Sequence, residues 1–297
     1  MITPDRLLPL WSAHQDALRH PIRSFSFPRF NQTFEDRPYQ LGVINLSRDS
    51  SYRESIAHTV EAALYRGRRM TIEGAVMIDV GAESTGDTMD IIDVPSQIDT
   101  LNPVISALAE ERMLVSVETY HAEVAEAALA AGAGVVNLTG RIDDRAFYEM
   151  IARHEAGLIL CYTPGANARS GDLLPDAEHI IERQMAFFEE RLALATAAGI
   201  ERIWIDPGFG FALNLPDGPE RVRYQTESVL QAFRFRVFGW PICVILASSA
   251  FLFRDEVRCA ETAMAPLALL SKANLLRSHE VARVQPVLNV LDMMAED

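Results

Sequence analysis

From residue 41 onward the chain alternates short, nearly continuous apolar runs with longer stretches whose apolar residues recur every three or four positions. The runs are LGVINL (41–46), VMIDVG (76–81), LVSVET (114–119), GVVNLT (134–139), LILCYT (158–163), IWIDPG (203–208), ICVILAS (242–248) and NLLRSH (274–279). Between them lie segments such as HAEVAEAALAAGA and AEHIIERQMAFFEERLALATAAG, which have helical spacing. Strands apolar on both faces, alternating with helices, predict a parallel sheet buried under helices. Eight such units, with no G-x-G-x-x-G after the first run, predict an α/β fold of the (β/α)8 TIM-barrel type, not an open doubly wound sheet. Residues 1–38 mix Pro, Phe and Arg without a clear period. The expected organisation is an N-terminal extension over 1–38 and one barrel domain over 39–297.

Composition narrows the function classes. The chain has 297 residues, 49% of them apolar, which is ample for one large core. The net charge of −14 and the lack of a basic tail argue against nucleic acid and anionic membranes as partners. No apolar run approaches the roughly 18–20 residues that span a bilayer, and charge interrupts the N-terminus too often for a signal peptide. A soluble, cytoplasmic protein is expected. Cys161, Cys243 and Cys259 form no C-x-x-C pair and are expected to be small buried apolar residues, not disulfides or a zinc site. Arg carries nearly all the positive charge, since Lys272 is the only lysine.

The chemistry gathers where the apolar runs end. Ligands of a barrel are handled at the C-terminal ends of its strands, and those positions hold Asn45, Asp79, Glu83, Glu118, Asn137, Asp206, Ser248, Ser249, Arg277 and His279. Taken singly, Asp79 or Asp206 serves a helix cap equally well, and His279 is an ordinary histidine; their recurrence at one rim favours a ligand. Carboxylates and an amide on adjacent strands suit a flat heterocycle with an amino group beside a ring N–H. Asn45, Arg277 and His279, on the first and eighth strands, suit an anion.

Read as blocks, these segments resemble the dihydropteroate synthase family of pterin-binding barrels. A first strand of the type G-I-L-N-V-T-P-D-S-F reads GVINLSRDSS, and I-I-D-V-G-G-E-S-T-R-P-G reads MIDVGAESTGDT. I-S-V-D-T-Y reads VSVETY, I-N-D-V-S-G reads VNLTG, D-P-G-F-G-F is intact at 206–211, and R-V-H-D-V reads RSHEV. The resemblance spans Leu41 to the C-terminus. It implies that Glu118, Asn137 and Asp206 hold the pterin, with Asp79 in the same pocket. It also implies that Asn45, Arg277 and His279 serve a diphosphate and its magnesium, Asn45 being the metal candidate. The family reaction displaces diphosphate from a pterin methylene by the amine of p-aminobenzoate. A homodimer through late helices is the assembly expected by analogy, with 261–276 as the candidate segment, although that helix fits equally well against its own barrel.

Departures cluster in the loops. The family's G-x-S-R-K-S after the seventh strand is Ala247-Ser248-Ser249-Ala250-Phe251-Leu252, so Phe251 stands where a Lys reaches the pterin. In the second loop Gly86 follows Thr85 where the family has Arg, and Glu118 replaces an Asp. Positioned cations at developing charge contribute on the order of 3 kcal/mol each, so their loss argues against ordinary condensation with p-aminobenzoate and for another acceptor or another pteridine. Arg48 and Arg254 are candidates to return charge, and Thr85, Arg48 and Ser249 are the candidate loop residues. A methyltetrahydrofolate-type methyl transferase and a non-catalytic pteridine-binding paralogue remain as alternatives.

Overall fold

The eight apolar runs form the eight strands of one parallel sheet. The computed structural model describes residues 3–47, 52, 55–84, 90–169, 180–211, 218–246 and 250–293. After helices α1 (Pro4–Ala13) and α2 (Gln15–Arg19) come two short antiparallel strands, β1 (Phe25–Phe27) and β2 (Gln32–Phe34). The sheet follows: β3 (Tyr39–Asn45), β4 (Ala75–Gly81), β5 (Val115–Thr119), β6 (Val135–Leu138), β7 (Gly157–Cys161), β8 (Ile203–Asp206), β9 (Cys243–Ile245) and β10 (Leu275–Ser278). Helices α3 (Val60–Ile72), α4 (Val94–Glu110), α5 (Ala122–Ala131), α6 (Arg145–Arg153), α7 (Ile180–Ala197) and α8 (Pro219–Leu230) connect the first seven of these. Short α9 (Ala250–Phe253) and α10 (Ala260–Leu270) precede β10, and α11 (Val281–Met293) ends the described chain.

The strand order β8-β7-β6-β5-β4-β3-β10-β9 is parallel throughout. The ring closes between β8 and β9 through the bridge Ile205↔Ile242 and the bond from Ile205 N–H to the Pro241 carbonyl at 2.9 Å. This is the (β/α)8 barrel that the alternation predicts. Outward strand residues such as Ile78, Val136, Leu158, Ile203 and Leu276 pack under the helices. Helix α10 turns Met264, Ala265 and Ala268 into this core, so most of the 261–276 segment faces its own barrel, with Leu270 exposed.

Inside the barrel the lower layer is apolar: Leu41, Met77, Val135, Ile159, Trp204, Cys243 and Leu275 form one cluster with Phe27, Phe30 and Phe34. Residues 25–34 thus belong to a hairpin that plugs the bottom of the barrel. Trp204 is fully buried, met edge-on by Phe25 at 4.7 Å and Phe34 at 4.9 Å and stacked on Phe27 at 6.0 Å. Aromatic pairs of this kind contribute roughly 0.5–1.5 kcal/mol beyond their burial. The extension is also pinned by charge. Arg236, buried, forks onto Asp36 at 3.0 and 2.5 Å, and Asn274 donates to the same carboxylate at 3.0 Å.

Candidate active site

Alternate residues of a strand face the same side, so the position two residues beyond each apolar interior residue forms the next layer up. There the character changes. Above Met77 stands Asp79, above Val135 Asn137, above Ile159 Cys161, above Trp204 Asp206 and above Leu275 Arg277. Glu118 joins this layer from β5, in register with Asn137. Asp79, Asn137, Asp206 and Arg277 are all buried.

Arg277 ties this layer together. Its Nε donates to Asp79 Oδ2 at 2.7 Å and its Nη2 to Glu118 Oε2 at 2.5 Å. Asn137 Nδ2 donates to the same Asp79 oxygen at 3.0 Å. Among the described residues, Asp79 Oδ1 and Asn137 Oδ1 are buried and have no hydrogen-bond partner. Burial lowers the Arg277 pKa, but the Glu118 and Asp79 carboxylates outweigh that, and the net shift is upward. The Glu118 carboxyl is pushed up, first by burial and then by Asp79, against the opposing pull of Arg277.

Asp206 ends β8 facing the same space. Its Oδ1 accepts the Gly208 N–H at 2.8 Å, and burial pushes its pKa up to about 6. Gly208 has φ +72°, and a Cβ there would lie 2.1 Å from the Tyr162 carbonyl oxygen. Only glycine lets the chain turn so tightly behind the carboxylate. The Cys161 and Cys243 thiols are buried beside Asp206 and are raised by that burial. Cys259 departs from the expected burial, being partly exposed near Glu256. Three carboxyl groups against one guanidinium make a layer rich in acceptors, suited to a ligand edge rich in donors.

His279 belongs to a separate cluster at the rim. Its Nδ1 lies 2.7 Å from Glu261 Oε1, and its ring stacks on Tyr52 at 4.5 Å and 18°. Tyr52 donates to Glu280 at 2.6 Å, and Glu280 also receives Arg258 (2.6 and 2.9 Å) and Arg283 (3.1 Å). Asn45 hydrogen-bonds Ser55. The structure therefore gathers Asp79, Glu118, Asn137 and Arg277 into one network with Asp206 beside it, while Asn45 and His279 each have different partners. Glu83 is held by Tyr120, Gln97 and Arg169. Arg48, Thr85 and Ser249 lie outside the described residues, as do Gly86, Ser248 and the side chain of Phe251. Arg254 is exposed, and Lys272 is an exposed residue in the turn before β10, at the opposite end of the barrel. Sequence reasoning did not single out Glu261, whose signal is an acid on a helix that buries its apolar face.

Magnesium needs oxygen ligands, usually one or two carboxylates with waters and phosphate. Among the described residues no cluster of three or more His, Cys, Asp or Glu side chains is placed to hold a metal, and Asn45 offers a single amide. Among the described residues that does not build a resident magnesium site.

Known proteins resemble this chain in sequence and in fold. The family model described as Pterin binding enzyme matches residues 41–275. A probable bifunctional folylpolyglutamate synthase/dihydropteroate synthase of Halobacterium salinarum is 30% identical over 253 residues, covering 83% of this chain. The chain spans 30% of that relative's length. A dihydropteroate synthase of Streptococcus pyogenes is 28% identical over 266 residues, covering 86% of this chain and 94% of that one. The crystal structure of dihydropteroate synthase from Thermus thermophilus in complex with 4-aminobenzoate superposes with a TM-score of 0.73 at 26% identity. It covers 92% of this chain and 100% of that one.

Proposed function

The chain belongs to the pterin-binding enzyme family, and from that premise we propose that it binds a pterin as its methyl diphosphate and transfers the pterin methylene to an amine other than p-aminobenzoate. Its relatives place it among the dihydropteroate synthase-like transferases. The observation that carries the ring half of the proposal is the pair formed by Asp206 and the unpartnered Asn137 Oδ1 in the buried layer above Trp204.

A pterin presents an amino group beside a ring N–H. Asp206 accepts from both, and Asn137 Oδ1 takes a further donor. Charge-assisted bonds of this type contribute about 1.5–3 kcal/mol each. The same excess of carboxylate repels a diphosphate, so the ring goes in and the leaving group stays at the rim near His279. In the transfer, the methylene C–O bond breaks and diphosphate departs with the electron pair. The acceptor nitrogen forms the new C–N bond and gives its proton to solvent.

The acceptor half rests on the loops. Ala250 and Phe251 stand where family members have an Arg-Lys pair, and Leu252 is 55% exposed beside them. Ala and Phe in place of those cations suit an acceptor lacking a carboxylate. The test is calorimetry with 6-hydroxymethyl-7,8-dihydropterin diphosphate on the wild type and Asp206→Asn, followed by product analysis with p-aminobenzoate. Binding by the wild type alone, with no dihydropteroate formed, is the expected result. Absence of binding to the wild type overturns the ring pocket, and efficient dihydropteroate synthesis overturns the altered acceptor.

A further inference from the structure

Glu261 is 1% exposed, on the first turn of α10, a helix otherwise buried through Ala and Met. A buried acid on an apolar helix face requires compensation, and here it comes entirely from the end of β10 and the residues after it. Ser278 Oγ donates to Glu261 Oε2 at 2.5 Å. The His279 N–H donates to both oxygens at 3.0 and 2.9 Å, and the Glu280 N–H to Oε2 at 3.0 Å. The fifth contact is His279 Nδ1, 2.7 Å from Oε1. Burial favours the neutral acid, but these donors prevail and hold Glu261 below the usual carboxylate range. A carboxylate that accepts can only be met by a ring nitrogen that donates, so Nδ1 carries a proton. Tyr52 covers one face of the imidazole, and its hydroxyl is fixed by Glu280, which Arg258 and Arg283 hold in turn. The Nδ1 contact and the stacking together set the ring's orientation, which leaves Nε2 as the one ring nitrogen with no hydrogen bond among the described residues.

We propose that Glu261 is a positioning residue: it fixes His279 in the Nδ1–H tautomer and anchors residues 278–280, so that Nε2 is presented to the anionic part of the ligand. A carboxylate behind an imidazole holds the ring's tautomer and orientation and balances the charge it gains on taking a proton. Protonation at Nε2 turns that nitrogen into a donor for a phosphate oxygen while Glu261 neutralises the imidazolium. The ligand in this statement rests on the pterin diphosphate reading; the tautomer does not.

The test uses the full chain, with 15N NMR of the His279 ring assigned by His279→Gln. In the ligand-free wild type at pH 8, the spectrum is expected to show one tautomer, protonated on Nδ1. In Glu261→Gln, whose amide both donates and accepts, a mixture is expected. Titration with inorganic pyrophosphate is expected to weaken about tenfold in the variant, the scale seen when such orienting partners are lost, with affinity for free pterin unchanged. In a His279→Gln background, Glu261→Gln is expected to have no further effect on pyrophosphate.

A wild-type spectrum showing Nε2–H or a mixture overturns the proposal, even if the variant fails to fold. So does a variant that keeps the single tautomer, or one that loses pterin and pyrophosphate equally. A wild type that shows the Nδ1–H tautomer but binds neither probe upholds the positioning and overturns the functional reading instead.

Discussion

The two interior layers of the barrel are built by the same strands, two residues apart, and obey different rules. In the lower layer Trp204, Met77, Val135 and Leu275 meet the aromatic hairpin, and every contact is packing. One step up, the same strands present Asp206, Asp79, Asn137 and Arg277. There the charges are buried and some acceptors lack donors among the described residues. The comparison separates a region optimised for the folded state from one that holds unfavourable groups for a ligand. The carboxylates are tolerated because the layer beneath them is so well packed.

The largest effect is expected from breaking the lower layer. Trp204→Ala removes the ring on which Phe25, Phe27 and Phe34 converge and should cost about 4 kcal/mol. Denaturant unfolding measures this, and below the transition the variant should keep its pterin affinity. Next, Arg277→Leu leaves Asp79 and Glu118 without their shared cation and should cost about 3–4 kcal/mol at pH 8. Its signature is the pH dependence. Burial already raises the Glu118 carboxyl, so without Arg277 the folded state takes up a proton before the unfolded state does. The loss therefore shrinks as pH falls, which melting curves between pH 8 and pH 5 will reveal.

Asp206→Asn is expected to move stability the other way. With its pKa at about 6, well above its ordinary value, the folded chain above that pH holds a charge the unfolded chain keeps in water. The cost disappears as pH falls through about 6 toward 4. The variant should gain up to about 3 kcal/mol at pH 8 and nothing below pH 4, while losing the ligand. The smallest effect is Glu118→Asp, which draws the carboxylate back from the 2.5 Å contact with Arg277. A loss of about 1 kcal/mol in denaturant unfolding is expected.

How much of this the sequence carried also follows the two layers. Each of the eight runs read as a strand overlaps an observed strand, because a strand buried on both faces must be apolar almost throughout. The polar rim was legible because Asp79, Asn137, Asp206 and Arg277 each interrupt or end such a run. The hairpin was not. Its strands are three residues long, too short for periodicity to register, although Phe25, Phe27 and Phe34 carry the alternation in hindsight. Partner choice was also hidden. Arg277 and His279, two residues apart, read as one anion site, yet side-chain reach sends the first into the barrel and the second to Glu261 on another helix. No local pattern encodes contacts separated by 198 residues, as Arg277 and Asp79 are.

The joint between β8 and β9 gives the site a mechanical side. Neighbouring strands elsewhere share ladders of three or more residue pairs, whereas this joint has a single bridge, to which the Ile205 N–H bond belongs. Asp206 ends the strand on one side of it, and Arg277 stands two strands away across it. It is the slit along which the cylinder would breathe. A ligand gripped by Asp206 and reaching the network around Arg277 acts as a clasp over that slit. Occupancy at a hundredfold excess over Kd stabilises any fold by about 2.7 kcal/mol. Here that protection should be concentrated in the Ile205 amide, whose hydrogen exchange would slow before that of its neighbours.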